Sequence, residues 1–161
     1  MTQQAVVPFD ERGRSRLASF DGEIHVELSR IPVHYHICSW DAIETDCHML
    51  AMSVCRIACA TADAVRGRPV PAPIRRYLSE PCLRKLANVS ALLDYHLQSH
   101  PDLKISLKRP PAIPMLINGT FTSAKKLDAV VMLALGKTHY WVTLVFEQTG
   151  SRWVCNHADM G

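Results

Sequence analysis

His34-x-His36-x-Cys38 is the densest cluster of potential metal ligands in the 161-residue chain. On an extended strand these three side chains share one face, and two imidazoles with a thiolate suit zinc or a softer transition metal. Cys47 and His48 follow closely enough to offer a fourth ligand. Ligands spaced only i, i+2 converge poorly on one ion, and no C-x-x-C pair supports them. The preferred reading is a half-buried strand with incidental histidines, so no metal and no other cofactor is expected. The remaining thiols point the same way. Cys55 and Cys59 fall at i, i+4 on one helix face, and Cys155 precedes His157 at i, i+2 on the last strand. Cysteine in such places behaves as a small hydrophobe, and Arg56, the only cation beside the helical pair, points elsewhere on the helix.

An enzyme would need an acid or base inside a concavity. The alternation of the C-terminal third sets Tyr140, Val142, Leu144, Trp153, Cys155 and His157 on one sheet face. Asp128, His139, Trp141 and Thr143 fall on the other. A ligand pocket, if one forms, is therefore expected around Tyr140, His157 and Trp153. No nucleophile elbow, phosphate-binding glycine loop or carboxylate pair accompanies them, and a lone His or Tyr is more often a pocket wall than a general base. No catalytic residue is assigned. The balance favours a non-enzymatic module; a small-molecule-binding or catalytic protein of the same fold is the alternative.

The net charge of +3 conceals an asymmetry. Residues 1–46 carry four basic and eight acidic side chains, whereas residues 66–109 carry nine basic against three acidic. Arg75, Arg76, Arg84 and Lys85 stand out as a surface for a protein partner of acidic character. Nucleic acid is disfavoured: Tyr77 and Tyr95 are interleaved with the basic residues, but no recognised binding motif is present and the pI is only about 8.6. No uninterrupted apolar run suggests a membrane span, and residues 1–11 lack a signal-peptide layout. A cytoplasmic location with all six cysteines as free thiols is the expectation.

The elements that must position these residues follow from period and punctuation. Residues 1–44 read as a flexible or extended acidic arm, with residues 1–22 dispensable for folding and two short extended pieces between Glu23 and Trp40, interrupted at Ser29–Pro32. Residues 45–161 read as one domain. Thr45 or Asp46 caps a helix running to about Val65, striped by Leu50, Val54, Ile57, Ala58 and Thr61, with Gly67 just past its end. Ile74–Leu78 makes about one turn, and Ser79-Glu80-Pro81 starts a helix ending before Pro101. Lys104–Lys108 and Met115–Ile117 are expected as short strands, with Asn118-Gly119 a turn.

Leu127–Asp159 then reads as a three-stranded antiparallel meander. The Gly136-Lys137 turn sets Leu133 opposite Tyr140, Val131 opposite Val142 and Ala129 opposite Leu144. A turn at Gln148–Ser151 sets Phe146 opposite Trp153 and Leu144 opposite Cys155, which predicts a buried Trp153. Helices followed by such a sheet define an α+β fold, with helices packed on one sheet face.

A curved sheet ending in an aromatic strand such as Gly150–Cys155 resembles the cone-shaped nuclear-transport-factor-two-like superfamily. Within it, Gly67-Arg68-Pro69, Ile74–Ser79 followed by Leu83 and Leu86, and the terminal Gly150-Ser151-Arg152-Trp153-Val154-Cys155 resemble a family of small actinobacterial proteins. Their genes often lie near that of the Sec translocase motor ATPase. The resemblance covers roughly residues 46–157 and departs over residues 104–126. It implies a helix-first cone and an accessory role in protein export or a neighbouring process, and it carries over no catalytic residues. A homodimer through the sheet is a separate expectation for this chain.

Overall fold

The computed structural model describes residues 18–37, 43 and 45–161. Two strands come first: β1 (Ala18–Val26) and β2 (Ser29–Ile37) form an antiparallel hairpin turning at Glu27-Leu28. Four helices follow: α1 (Cys47–Val65), α2 (Ala72–Arg75), α3 (Glu80–Leu97) and α4 (Pro101–Lys108). The chain closes with β3 (Ala112–Ser123), β4 (Lys126–Leu135), β5 (Thr138–Thr149) and β6 (Arg152–Met160). The six strands form one sheet in sequence order.

The fold is α+β, as its patterning predicts, but the sheet is mixed. β2 pairs parallel with β3, while the other neighbours are antiparallel. Parallel neighbours need a long crossover, and here that crossover carries all four helices. The helix-first order is therefore corrected: a strand hairpin precedes the helices. Ile24, Ile31, Val33 and Tyr35 are buried in the same core as α1. The segment expected as an arm thus supplies two strands over residues 18–37, and the remainder of that expectation lies outside the described residues. The Ser29–Pro32 interruption is not a break, because parallel pairing with β3 begins only at Val33. Pro32 faces no ladder on that side, so its missing N–H costs nothing there.

Helix α1 is the organising core element. Asp46 is its N-cap, accepting from the Met49 N–H at 3.0 Å, and Gly67 follows its C-terminus with φ of +89°. Ala51, Ala58 and Ala62 are fully buried, which lets the helix lie close against the sheet. By length and composition α1 could cross a bilayer, yet most of its apolar surface is spent on the core. Helix α3 begins at the expected cap, with Ser79 accepting from the Cys82 N–H at 3.3 Å. It packs on α1 and β6 through Cys82 and Leu86.

Two expected elements are corrected. Lys104–Lys108 is helical, with Pro101 in the first turn of α4 and only Leu107 buried. The alternation of Leu103, Ile105 and Leu107 imitates a strand, but Leu103 and Ile105 are exposed and contribute nothing to the core. Asn118-Gly119 is not a turn and lies inside continuous β3. Gly119 is there because the Tyr35 ring from β2 lies over its α-carbon: an added Cβ would sit 2.7 Å from Tyr35 Cδ1.

The meander forms as expected, with the Gly136 hairpin in the anticipated register. The β5–β6 register differs by two residues: Gly150-Ser151 is a two-residue turn, Trp153 pairs with Gln148 and Cys155 with Phe146. A shift of two keeps Trp153 and Cys155 on the core face. A bulge after Cys155 then reverses the alternation, so that His157 pairs with Val145 and lies exposed on the uncovered face.

Candidate functional site

The sheet positions its expected pocket residues apart from one another. Tyr140 packs against the small cluster of Leu97, Leu107 and Leu135, beneath α3 and α4. His157 is on the opposite face, moved there by the bulge. Trp153 lines a cavity. Asp128, His139, Trp141 and Thr143 are exposed on the uncovered face, with Trp141 44% accessible.

The cavity is a groove of about 380 Å³ between the N-terminal half of α1 and the β5–β6 hairpin. Met49, Leu50, Ile57 and Phe146 make its apolar lining, Tyr77 and Trp153 its aromatic walls, and Asp46, Ser53 and Arg152 its polar edge. Tyr77 reaches this place through a short extra pairing at the sheet edge. The Cys155 N–H donates to Tyr77 O at 2.7 Å, and the Ser79 N–H donates to Cys155 O at 2.9 Å. Trp153 is half-buried; its indole N–H donates to Thr45 Oγ1 at 3.2 Å, and its ring meets Phe121 edge-on at 6.2 Å. Arg76 stacks over Tyr77 at 4.9 Å from the ring centroid and donates to its hydroxyl at 3.1 Å.

The half-burial sets the expected cost of losing Trp153. Trp153→Ala should destabilise by about 2–3 kcal/mol, below the 3–5 of a fully buried aromatic. Trp153→Phe should cost about 1 kcal/mol for the lost hydrogen bond. Urea unfolding of both variants checks the ordering, and an equal loss in both would contradict the packing described.

The basic segment is divided by its contacts. Arg66 is buried at the end of α1 and ion-paired with Asp63; Arg68 also meets Asp63, at 3.2 Å. Lys108 pairs with Asp94 and holds that carboxyl below its usual range. Lys85 reaches Asp159 at 3.5 Å, so its charge is already partnered. Arg75, Arg76 and Arg84 are exposed, and among the described residues no carboxylate lies within ion-pair distance of them or of Arg152. Of the four residues expected as a partner surface, Lys85 is thus paired and Arg75, Arg76 and Arg84 are exposed.

His34 and His36 do share the uncovered face of β2, their rings edge-to-face at 4.4 Å, with His34 bonded to Asp21. Cys38 lies outside the described residues. Cys47 is buried in the first turn of α1 while His48, beside it, is exposed. Among the described residues no three His, Cys, Asp or Glu side chains converge as metal ligands. The other thiols are core groups. Burial pushes Cys47 up to about 11, with Asp46 adding to it. Cys155 is pushed well above the thiol range by the facing Cys82 thiol and then by burial, and Cys59 likewise by Cys55 and burial. The hydrogen bonds within these two facing pairs shift Cys55 and Cys82 down, so it is Cys47, Cys59 and Cys155 that are held neutral and poorly nucleophilic. Tyr35 is raised by burial and by Cys47 and Cys55, and its hydroxyl has no hydrogen-bond partner among the described residues.

Sequence reasoning assigned Trp153 to a pocket but missed its partners Tyr77, Met49 and Arg152. No local signal marks them, since the Leu78–Cys155 pairing that gathers them spans most of the domain. The architecture is that of a mixed-sheet α+β domain with helices on one face. Compared with family models, curated proteins and solved structures, the chain matches none.

Proposed function

We propose that this protein is a non-enzymatic interaction module that captures an acidic protein partner through Arg75, Arg76 and Arg84. The observation that carries this reading is that, among the described residues, no carboxylate lies within ion-pair distance of the three exposed guanidinium groups, while Arg66, Arg68, Lys85 and Lys108 are all paired. Arginine's planar fork suits bidentate contact with carboxylates. Tyr140 and His157 lie on opposite sheet faces, which supports a binding reading over one in which the two act together in a catalytic pocket. The finer reading goes with this proposal by resemblance alone: a cone-shaped, nuclear-transport-factor-two-like domain acting in the cytoplasm as an accessory of protein export. Pairing of two copies through the uncovered sheet face, where Trp141, Ile113 and Met115 are exposed, is a separate part of the proposal.

The small-molecule alternative draws on the groove, whose 380 Å³ is within the range of ligand pockets, about 300–1,000 Å³. Its lining offers no paired acid and base, which favours a protein partner.

Reversing all three charges (Arg75→Glu, Arg76→Glu, Arg84→Glu) tests the proposal. Surface substitutions of this kind usually change stability by about 0.5 kcal/mol or less, so the thermal midpoint should barely move. Capture of the partner from native-cell lysate should be lost, and raised salt should reproduce that loss with the unaltered protein. Undiminished capture by the triple variant at low salt would place the binding surface elsewhere.

A further inference from the structure

We propose that Cys82 and Cys155 are an oxidisable thiol pair, closed by a hydroperoxide into a disulfide that fixes the first turn of α3 to β6. Its chemistry is separate from the arginine surface and does not depend on a partner binding there.

Backbone contacts bring the two sulfurs together. Leu78 pairs with Cys155 as an isolated parallel bridge; the Cys155 N–H donates to Tyr77 O at 2.7 Å, and the Ser79 N–H to Cys155 O at 2.9 Å. Ser79 then caps α3, its Oγ accepting the Cys82 N–H at 3.3 Å. The turn that carries Cys82 is thus pinned to the residue that carries the second thiol. The two thiols face one another within hydrogen-bonding reach, and the Ala158 N–H also donates to the Cys82 sulfur. The bulge after Cys155 is what brings both Cys155 and Ala158 to the core face beneath α3.

A disulfide needs Cβ atoms about 3.5–4.5 Å apart. Cys55 and Cys59, the other facing pair, stand one turn apart on α1, where Cβ atoms lie about 5–6 Å apart, so a bridge there would distort the helix. Cys82 and Cys155 come from two elements and carry no such constraint. Both are free thiols here, so the disulfide is an oxidised state of the same fold.

Cys82 is the attacking group. The hydrogen bond from Cys155 shifts it down, and Lys85 and the positive end of α3 further favour its thiolate. Its sulfur attacks one oxygen of hydrogen peroxide; the O–O bond breaks, and the other oxygen leaves as water with the proton that Cys82 gave up. Cys82 becomes a sulfenic acid. Cys155, held as a thiol donating to His157 O at 3.0 Å, then attacks the Cys82 sulfur as its own proton departs. The S–O bond breaks, the S–S bond forms and a second water leaves. The two sulfurs lose two electrons, and the peroxide gains them. Cys82 is 2% exposed and Cys155 is fully buried, so only a small oxidant arriving as the end of α3 opens can react. The same burial leaves the sulfenic acid nearer to the facing thiol than to a second peroxide.

Oxidation of the full folded chain with a small excess of hydrogen peroxide, then alkylation and tryptic mapping without reductant, tests the proposal. Cleavage after lysine and arginine places Cys82 in Tyr77–Arg84 and Cys155 in Trp153–Gly161, each without another cysteine. The expected product is these two peptides joined, two hydrogens lighter than their sum, and parted again by dithiothreitol. The joined chain should melt about 3 °C or more above the reduced one, since a cross-link that fits the fold acts mainly on the unfolded chain. Cys82→Ser and Cys155→Ser should each abolish the joined peptide and the rise. Should either variant not fold, the mapping of the unaltered chain decides alone. Both thiols recovered alkylated, Cys82 recovered as a sulfinic acid, or either residue joined to a different cysteine overturns the proposal. So does a link that forms only after denaturation, or one that leaves the melting temperature unraised.

Discussion

Arg66→Ala is expected to destabilise the protein by about 3–5 kcal/mol, the usual penalty for removing one member of a buried charged network. The side chain has no solvent exposure and joins three segments. Its Nε–H donates to Ala62 O at 3.1 Å within α1, and Nη1 donates to Leu107 O at 3.2 Å and to Pro110 O. Nη2 pairs with Asp63. These carbonyls belong to the junction where α4 hands the chain to β3, so the guanidinium ties the end of the crossover to the end of α1. Truncation leaves the buried Leu107 carbonyl and the part-buried Pro110 carbonyl without their donor, and a buried group left unpaired costs about 1–3 kcal/mol. Arg66→Lys should recover only part of the loss, because an ammonium cannot reproduce the planar fork. Chemical denaturation of both variants gives the comparison; a loss under about 1 kcal/mol for Arg66→Ala would show that the carbonyls find other donors.

The second large effect is at Gly119. A Cβ there would lie 2.7 Å and 2.9 Å from two carbons of the Tyr35 ring and 3.0 Å from Leu127 Cδ1. Both neighbours are fully buried and have nowhere to retreat. Gly119→Ala should therefore cost about 2–3 kcal/mol, at the upper part of the range for overpacking, and Gly119→Val more. The cause can be isolated with Tyr35→Leu, which withdraws the ring. In a double-mutant cycle Gly119→Ala should cost at least about 1 kcal/mol less in that background than in the parent. Additive losses would mean that the ring does not set the need for glycine. Tyr35→Phe should be neutral or slightly stabilising, since the hydroxyl it deletes is buried without a partner among the described residues.

Both sites show why parts of this fold could be read early and others could not. Interactions close in sequence leave local patterns. The Ser79 and Asp46 caps, Gly67 after α1, and the Gly136 hairpin with its register all follow from a few neighbouring residues, and the structure has each of them. The assignment to α+β rests on the same signals.

Arg66 looks in sequence like one more member of a basic run, yet it is the buried tie of the domain. Gly119 beside Asn118 looks like a turn, because nothing within ten residues announces a tyrosine arriving from β2. The parallel β2–β3 pairing and the assembly of Tyr77, Trp153 and Arg152 around one groove are likewise long-range contacts. Composition alone therefore indicated a basic segment, while the fold decided which of its cations are paired with a carboxylate among the described residues. The bulge after Cys155 makes the same point for a single residue: one extra position in β6 moves His157 from the core face to the uncovered face. Alternation can be read from the chain, but the place where it slips is set by how β6 must pair with β5 while Ala158 stays in the core.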